Sequence, residues 1–174
     1  MKKIVVIGSS GAGKSTFAKK LALVLDIPLY HLDQMNWRSG WQEVSKEEQK
    51  QMQLEVLKKD AWIIDGNYGG TLEVRLKEAD TVVFLDFHRV ICISRALRRV
   101  LRYRNQVRPD MAEGCPERFD LEFMKYIWNF PETKTPHILK RLQELPLEKR
   151  VFHFRKPHEL DKFLLELEKR KSSN

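Results

Sequence analysis

Residues 8–15 read Gly-Ser-Ser-Gly-Ala-Gly-Lys-Ser and fill every fixed position of the G-x-x-x-x-G-K-[ST] pattern. No other stretch constrains the fold as strongly. The apolar residues 4–7 predict a short strand over residues 3–7 before it. Residues 15–24 predict a helix after it, with Phe17, Leu21 and Leu25 on one apolar face. Strand, glycine turn and helix in that order let backbone N–H groups turn inward around phosphate oxygens, and the helix N-terminus adds its positive end. In such a loop Lys14 reaches the β- and γ-phosphates and Ser15 offers its hydroxyl to Mg²⁺. A dinucleotide-binding turn would also use Gly8, Gly11 and Gly13. It would leave Lys14 without a role, and only Asp33 stands near the acidic position it requires. The expected ligand is therefore a nucleoside triphosphate, bound by Gly8, Ser10, Gly11, Ala12, Gly13, Lys14, Ser15 and Thr16.

Further short apolar runs recur at residues 27–32, 61–65, 81–86 and 151–154. Helical patterns alternate with them. Ser45 and Glu48 form a capping box that opens a helix to about residue 59, and residues 72–77 predict a short helix. A long helix spans residues 89–102, and an amphipathic one spans 119–130, stopped by Pro131. Thr135-Pro136 starts another helix, and a last one buries Leu160, Phe163, Leu164 and Leu167 before a disordered end at residues 169–174. Residues 33–44 and 105–118 read as loops. Five strands alternating with helices predict an α/β fold in three layers, a parallel sheet covered on both faces, with chemistry beyond the carboxyl ends of the strands. At 174 residues the chain suits one domain, with an acceptor-side segment at about 34–60 and an arginine-rich lid at about 102–118.

Composition narrows the partners. The two cysteines, Cys92 and Cys115, exclude a disulfide scaffold and a four-cysteine zinc site, which points to a reducing, cytoplasmic setting. Lys2 and Lys3 before residues 4–7 start like an export signal, but the apolar run is too short. No run is long enough to span a membrane. The net charge of +8, from 32 Lys and Arg against 24 Asp and Glu, points to an anionic partner without choosing one.

Asp33, Asp65 and Asp86 each follow an apolar run and are expected at the carboxyl edge of the sheet. Asp65 is the candidate for the magnesium side, and Asp33 the candidate that orients or deprotonates an acceptor hydroxyl. Each also suits a plain capping or turn role, Asp86 most of all. His31 reads as a locally satisfied histidine or an acceptor contact, and no His or Cys shows metal-ligand spacing. Trp37, Trp41 and Tyr68 are candidates for the acceptor pocket.

Residues 87–109 hold seven arginines and no carboxylate. At 100° per residue Arg95, Arg98, Arg99 and Arg102 share a face, opposite Ile93, Leu97, Val100 and Leu101. The helix is expected to pack by its leucine side and to present an unneutralised guanidinium stripe. Arg95, Arg98 and Arg102 suit a transferring phosphoryl group. A rival reading is a nucleic-acid backbone surface, with Trp37, Trp41 and Trp128 stacking bases.

The whole chain resembles the small kinase-like proteins known as DNA topology modulation proteins (FlaR-related), within the adenylate kinase-like and shikimate kinase-like P-loop folds. The matching stretches are residues 4–16, Tyr30-His31-Leu32-Asp33, residues 62–68 and 80–86, Arg102-Tyr103-Arg104, residues 108–118 and Ile127-Trp128-Asn129-Phe130. The resemblance implies sheet order 2-3-1-4-5, as in nucleoside monophosphate kinases, and an adenine contact at Arg155. The chain departs from adenylate kinases in having Asn67-Tyr68-Gly69 after Asp65-Gly66, and from shikimate kinases in having His31 where a first aspartate stands. Sequence thus predicts an ATP- and Mg²⁺-dependent kinase of a small-molecule or nucleotide acceptor. The alternative is a nucleic-acid-associated ATPase or nucleotide-binding regulator of DNA topology.

Overall fold

The apolar run at the N-terminus forms β1 (Lys3–Gly8), in which Ile4, Val5, Val6 and Ile7 are fully buried. A strand buried on both faces must lie inside a sheet covered on both sides. In the computed structural model, which describes residues 1–172, β1 is the central strand. In chain order there follow α1 (Lys14–Leu25), β2 (Leu29–His31), α2 (Leu32–Asn36), β3 (Trp37–Arg38), β4 (Gln42–Glu43), α3 (Lys46–Leu57), β5 (Trp62–Asp65) and α4 (Gly69–Glu78). The remainder is β6 (Thr81–Leu85), α5 (Arg89–Arg102), α6 (Leu121–Thr133), α7 (Thr135–Gln143), β7 (Arg150–Phe154) and α8 (Pro157–Ser172). The main sheet is parallel throughout, in the order β2-β5-β1-β6-β7. Counting its five strands in chain order gives the expected 2-3-1-4-5.

Alternation along β1 divides the core. Ile4 and Val6 join Phe17, Leu21, Cys92, Ala96, Leu160 and Leu164 from α1, α5 and α8 on one face. Val5 and Ile7 join Val56, Leu72, Leu76, Ile138 and Leu142 from α3, α4 and α7 on the other. Each fully buried aliphatic side chain contributes about 1.5–3 kcal/mol, so this one strand anchors both layers.

Several boundaries differ from the sequence reading, each for a physical reason. The second strand stops at His31, because its neighbour β5 ends at the opposite residue, Asp65; Leu32 then opens the short helix that carries Asp33. Residues 37–43 form a small antiparallel hairpin rather than a loop, turned by Gly40 and Trp41 at positive φ. Pro131 lies within the last turns of α6 instead of stopping it. Ile127 and Phe130 are buried there, and the Lys134 N–H still reaches the Phe130 carbonyl at 2.9 Å. Thr135 does not cap α7; its hydroxyl donates to Asp86 Oδ1 at 3.3 Å. The final helix runs through Lys169 to Ser172, where disorder was expected; residues 173–174 lie outside the described residues. Phe163 and Leu167 are only partly buried.

The arginine helix spans its predicted residues but packs by a different face. Cys92 and Ala96 are its buried residues, whereas Leu97 is 40% exposed and Leu101 77%. Small side chains bring α5 so close to the glycine loop that a Cβ on Gly11 would stand 2.2 Å from the Cys92 carbonyl. Leucines at that contact would push the helix away. No helix of the described residues is long and apolar enough to cross a membrane.

Candidate active site

The carboxyl ends of β1, β2 and β5 open into one cleft of about 930 Å³. Ser10, Gly11, Ala12, Gly13, Lys14, Ser15, Thr16, Asp33, Asp65, Arg95, Arg98 and Arg102 all line it. Two predicted residues do not. Gly8 lies beneath the loop at φ +144°, where a Cβ would meet the Leu85 carbonyl at 2.3 Å, so it shapes the turn from below. The Arg155 side chain is exposed away from the cleft, and its N–H donates to Glu159 Oε2 at 2.8 Å; Pro157, Leu160, Asp161 and Leu164 of α8 form that wall instead.

The loop is held from several sides. The Ser9 carbonyl accepts from the Ala12 N–H at 3.1 Å and from Lys14 Nζ at 3.2 Å. Asn67 clasps Gly8 twice: its Oδ1 accepts from the Gly8 N–H at 3.0 Å, and its Nδ2 donates to the Gly8 carbonyl at 2.7 Å. Asn67 is itself fixed by Arg75, which is fully buried and donates to the carbonyls of Gly66 at 2.8 Å, of Asn67 and of Tyr68 at 3.0 Å. Burial lowers the Arg75 pKa to about 9, against the opposing pull of Asp65 and then Tyr68, so it stays charged at neutral pH. Sequence reading missed this residue. Its signal was a base among Leu72, Leu76 and Ala79 on the apolar face of a short helix. Arg75→Leu strands three carbonyls and is expected to cost about 3 kcal/mol, read as a lower urea midpoint.

Asp33 is also positioned from behind. The Trp37 indole N–H donates to the Tyr68 hydroxyl at 3.0 Å, and that hydroxyl donates to Asp33 Oδ1 at 2.8 Å. Burial, then the Asp33 charge, pushes the Tyr68 pKa well above its ordinary value, so the phenol remains the donor. The second oxygen of Asp33 is left to the cleft. Trp37 and Trp41 pack edge to face, with centroids 5.5 Å apart, and both line the cleft with Tyr68. Trp128 lies elsewhere, under Arg89 at 5.1 Å, so the three tryptophans form no common stacking platform.

Asp65 is buried and pairs through Oδ2 with His31 Nδ1 at 2.9 Å, which satisfies the histidine. Its Oδ1 is buried without a partner. Among the described residues no group of three or more His, Cys, Asp and Glu could hold a metal alone. A cation here would rely on phosphate oxygens and water, which is how Mg²⁺ is commonly held, and the Ser15 hydroxyl and the orphaned Asp65 oxygen suit it. Asp86 faces away, bound to His153 Nε2 at 3.0 Å and to Thr135. Both cysteines are free and buried; Cys115 Sγ donates to the Arg38 carbonyl at 3.0 Å.

The guanidinium stripe is only partly unneutralised. Arg95 donates to the Ala12 carbonyl at 2.9 Å. Arg99 pairs with Glu117 at 3.1 Å, and Arg108 pairs with Glu117 at 2.6 Å and with Asp110 at 3.0 Å. Both carboxylates lie just beyond the arginine-rich window: Asp110 pairs locally with Arg108, and Glu117 returns because residues 104–107 bridge to 116–117. Burial, then the adjacent Arg108, lowers the Arg99 pKa despite Glu117. Arg98 and Arg102 remain exposed in the cleft, without ion pairs among the described residues.

No protein-family model and no curated protein matches the chain. Solved structures do. A shikimate kinase from Acinetobacter baumannii, in complex with shikimate, superposes with TM-score 0.61 at 15% identity, over 100% of this chain and 94% of its own. A shikimate kinase from Bacteroides thetaiotaomicron gives 0.56 at 19% identity, over 95% of each chain. A third chain, from Chloroflexus aurantiacus, gives 0.57 at 14% identity, over 95% of this chain and 96% of its own. At these identities the likeness is one of fold, the five-stranded P-loop architecture of the nucleoside monophosphate and shikimate kinases. It does not extend to the topology-modulation proteins in particular.

Proposed function

We propose that the chain is an ATP- and Mg²⁺-dependent phosphotransferase that moves the γ-phosphoryl group to a hydroxyl or phosphate oxygen of a small molecule. The reading is carried by one observation: a glycine loop ending in Lys14 and Ser15, two unpaired arginines and a braced carboxylate converge on one cleft. Lys14 holds the β- and γ-phosphates. Arg98 and Arg102 meet the equatorial oxygens of the transferring group, where charge is spread in the transition state. Arg95, bound to the Ala12 carbonyl, keeps the loop open for the phosphates. Ser15, and Asp65 through water, would hold Mg²⁺, which would supply charge neutralisation to the phosphates.

For a hydroxyl acceptor, Asp33 takes the proton on the oxygen that Tyr68 leaves free. The acceptor oxygen bonds to the γ-phosphorus, the bond to the β–γ bridging oxygen breaks, and ADP leaves. Segment 102–118 serves as the lid and segment 34–60 as the acceptor side. Inward-facing arginines and tryptophans set around a cleft favour a metabolite over a duplex, which needs an open face.

The test measures ATP consumption across nucleosides, nucleotides, sugars and hydroxy acids, with duplex DNA in the same panel. One class of metabolite is expected to raise turnover well above the background hydrolysis. Stimulation by DNA alone would establish the nucleic-acid-dependent ATPase instead.

A further inference from the structure

The hairpin of β3 and β4 is too small to hold itself, with two residues in each strand; even longer two-stranded hairpins are marginal in water. At its base the Val44 N–H donates to the Asn36 carbonyl at 2.9 Å, and Gln49 Nε2 donates to Glu43 Oε1 at 3.1 Å. The Arg38–Glu48 ion pair is exposed and contributes little. What holds the rest of the hairpin is the lid segment. The Gly40 N–H donates to the Gly114 carbonyl at 2.9 Å, and Cys115 Sγ donates to the Arg38 carbonyl at 3.0 Å. Just before the hairpin, Gln34 Nε2 donates to the Pro109 carbonyl at 2.8 Å. Met111, Ala112 and Cys115 pack against Trp37 and Trp41 in an apolar cluster apart from the two cores on the sheet, and the Arg118 guanidinium lies 5.2 Å from the Trp41 ring centre. The fit is tight: a Cβ on Gly114, at φ +71°, would stand 2.0 Å from Ser39 Oγ and 2.7 Å from Ser39 Cβ. This joined unit lines the cleft from both of its halves, with Trp37 and Trp41 from the hairpin and Pro109, Met111 and Arg118 from the lid.

Resting on the kinase reading, we infer that residues 37–43 and 108–118 open and close as one cover, so that capture of the nucleotide also builds the acceptor wall and braces the base. A nucleotide that meets the lid holds the hairpin down with it. Trp37 then donates to the Tyr68 hydroxyl, and Tyr68 to Asp33. With the cover open, Trp37 leaves Tyr68, and the phenol loses the donor that orients it toward Asp33. Trp37 is thus a positioning residue that passes the state of the lid to the carboxylate. Asp33 is set only when the cleft is covered, which disfavours proton abstraction from water in an open site. The coupling is reciprocal: an acceptor seated against Trp37 and Trp41 holds the lid over the nucleotide.

The experiment is native-state amide hydrogen exchange on the whole chain, with and without ADP and Mg²⁺, and needs no turnover. Residues 37–43 and 108–118 are expected to exchange through one opening, with equal protection that is lower than that of β1 and β5. ADP at about 100 times its dissociation constant should slow both stretches by the same factor, up to about a hundredfold if opening releases the nucleotide. Gly114→Ala, which drives a methyl group into Ser39, should speed exchange in both stretches, although no hairpin residue is changed. Cys115→Ala removes one tie without a collision and should act in the same direction, which keeps the test intact if Gly114→Ala does not fold. The proposal is wrong if ADP protects 108–118 and leaves 37–43 at its free rate, or if either folded variant speeds the lid segment alone. Protection of both stretches equal to that of β1 would also overturn it, since the cover would then open only when the chain unfolds. Calorimetry run beside the exchange shows whether ADP binds. A wild type that binds none would remove the kinase reading, and this inference with it.

Discussion

Lys14→Ala is expected to lower ATP turnover by about a thousandfold, the scale seen when a preorganised charge is removed from a transferring group. The lysine is free to act. Its ammonium rests on the Ser9 carbonyl at 3.2 Å, a single neutral contact that incoming phosphates can replace. Arg95 is bound to the Ala12 carbonyl and Arg99 to Glu117, and the unpaired Arg98 and Arg102 stand on α5 rather than at the end of the glycine loop. The fold should suffer little: the loop's shape depends mainly on Gly8, Gly11 and the Asn67 clasp, and the lysine adds one contact to the Ser9 carbonyl. Steady-state turnover beside a urea midpoint separates the two effects. Turnover within threefold of the wild type would exclude the loop chemistry proposed above.

The second large effect is expected at Asp33. Asp33→Asn should reduce kcat by about 10²–10⁴-fold for a hydroxyl acceptor, the ordinary worth of a positioned general base. The asparagine oxygen can still accept from Tyr68, so the brace through Trp37 is kept and only the basicity is lost. KM for ATP should therefore change little while kcat falls. A variant that loses ATP affinity but keeps kcat would place Asp33 in binding rather than in proton transfer. The raised Tyr68 pKa sharpens the test, since the phenol stays a donor through neutral and mildly alkaline pH and cannot replace Asp33 as the base.

Local patterns were legible in the sequence. The glycine loop between an apolar strand and a helix, the Ser45 cap that accepts from the Glu48 N–H at 3.2 Å, and the helix Arg89–Arg102 all followed from short-range rules. What escaped depended on the return of distant chain. The face by which α5 packs was set by the closeness of Gly11 to Cys92, which helical phase alone cannot express. Glu117 neutralises Arg99 and Arg108 only once residues 104–107 pair with 116–117. Arg75 carried a local signal, a charge on an apolar face, but its targets are carbonyls of a turn that forms only when β5 ends. Pro131 shows the reverse case, a strong local rule overridden by the burial of Ile127 and Phe130.

The central position of β1 has a consequence for how the chain comes into being. Ile4 pairs with Ile63 on one side and Thr81 on the other, so β1 leaves the ribosome without either of its sheet partners, which lie far downstream. Parallel pairing cannot be anticipated by a hairpin, and contacts of such long range form slowly. The glycine loop, complete after residue 15, therefore takes its shape only once Asn67 arrives to clasp Gly8. Throughout that interval Ile4, Val5, Val6 and Ile7 are an unpaired sticky strand, the kind of segment that nascent chains lose to aggregation. Lys2 and Lys3 stand directly before it, and like charges on neighbouring chains would keep such strands apart while the sheet is being assembled.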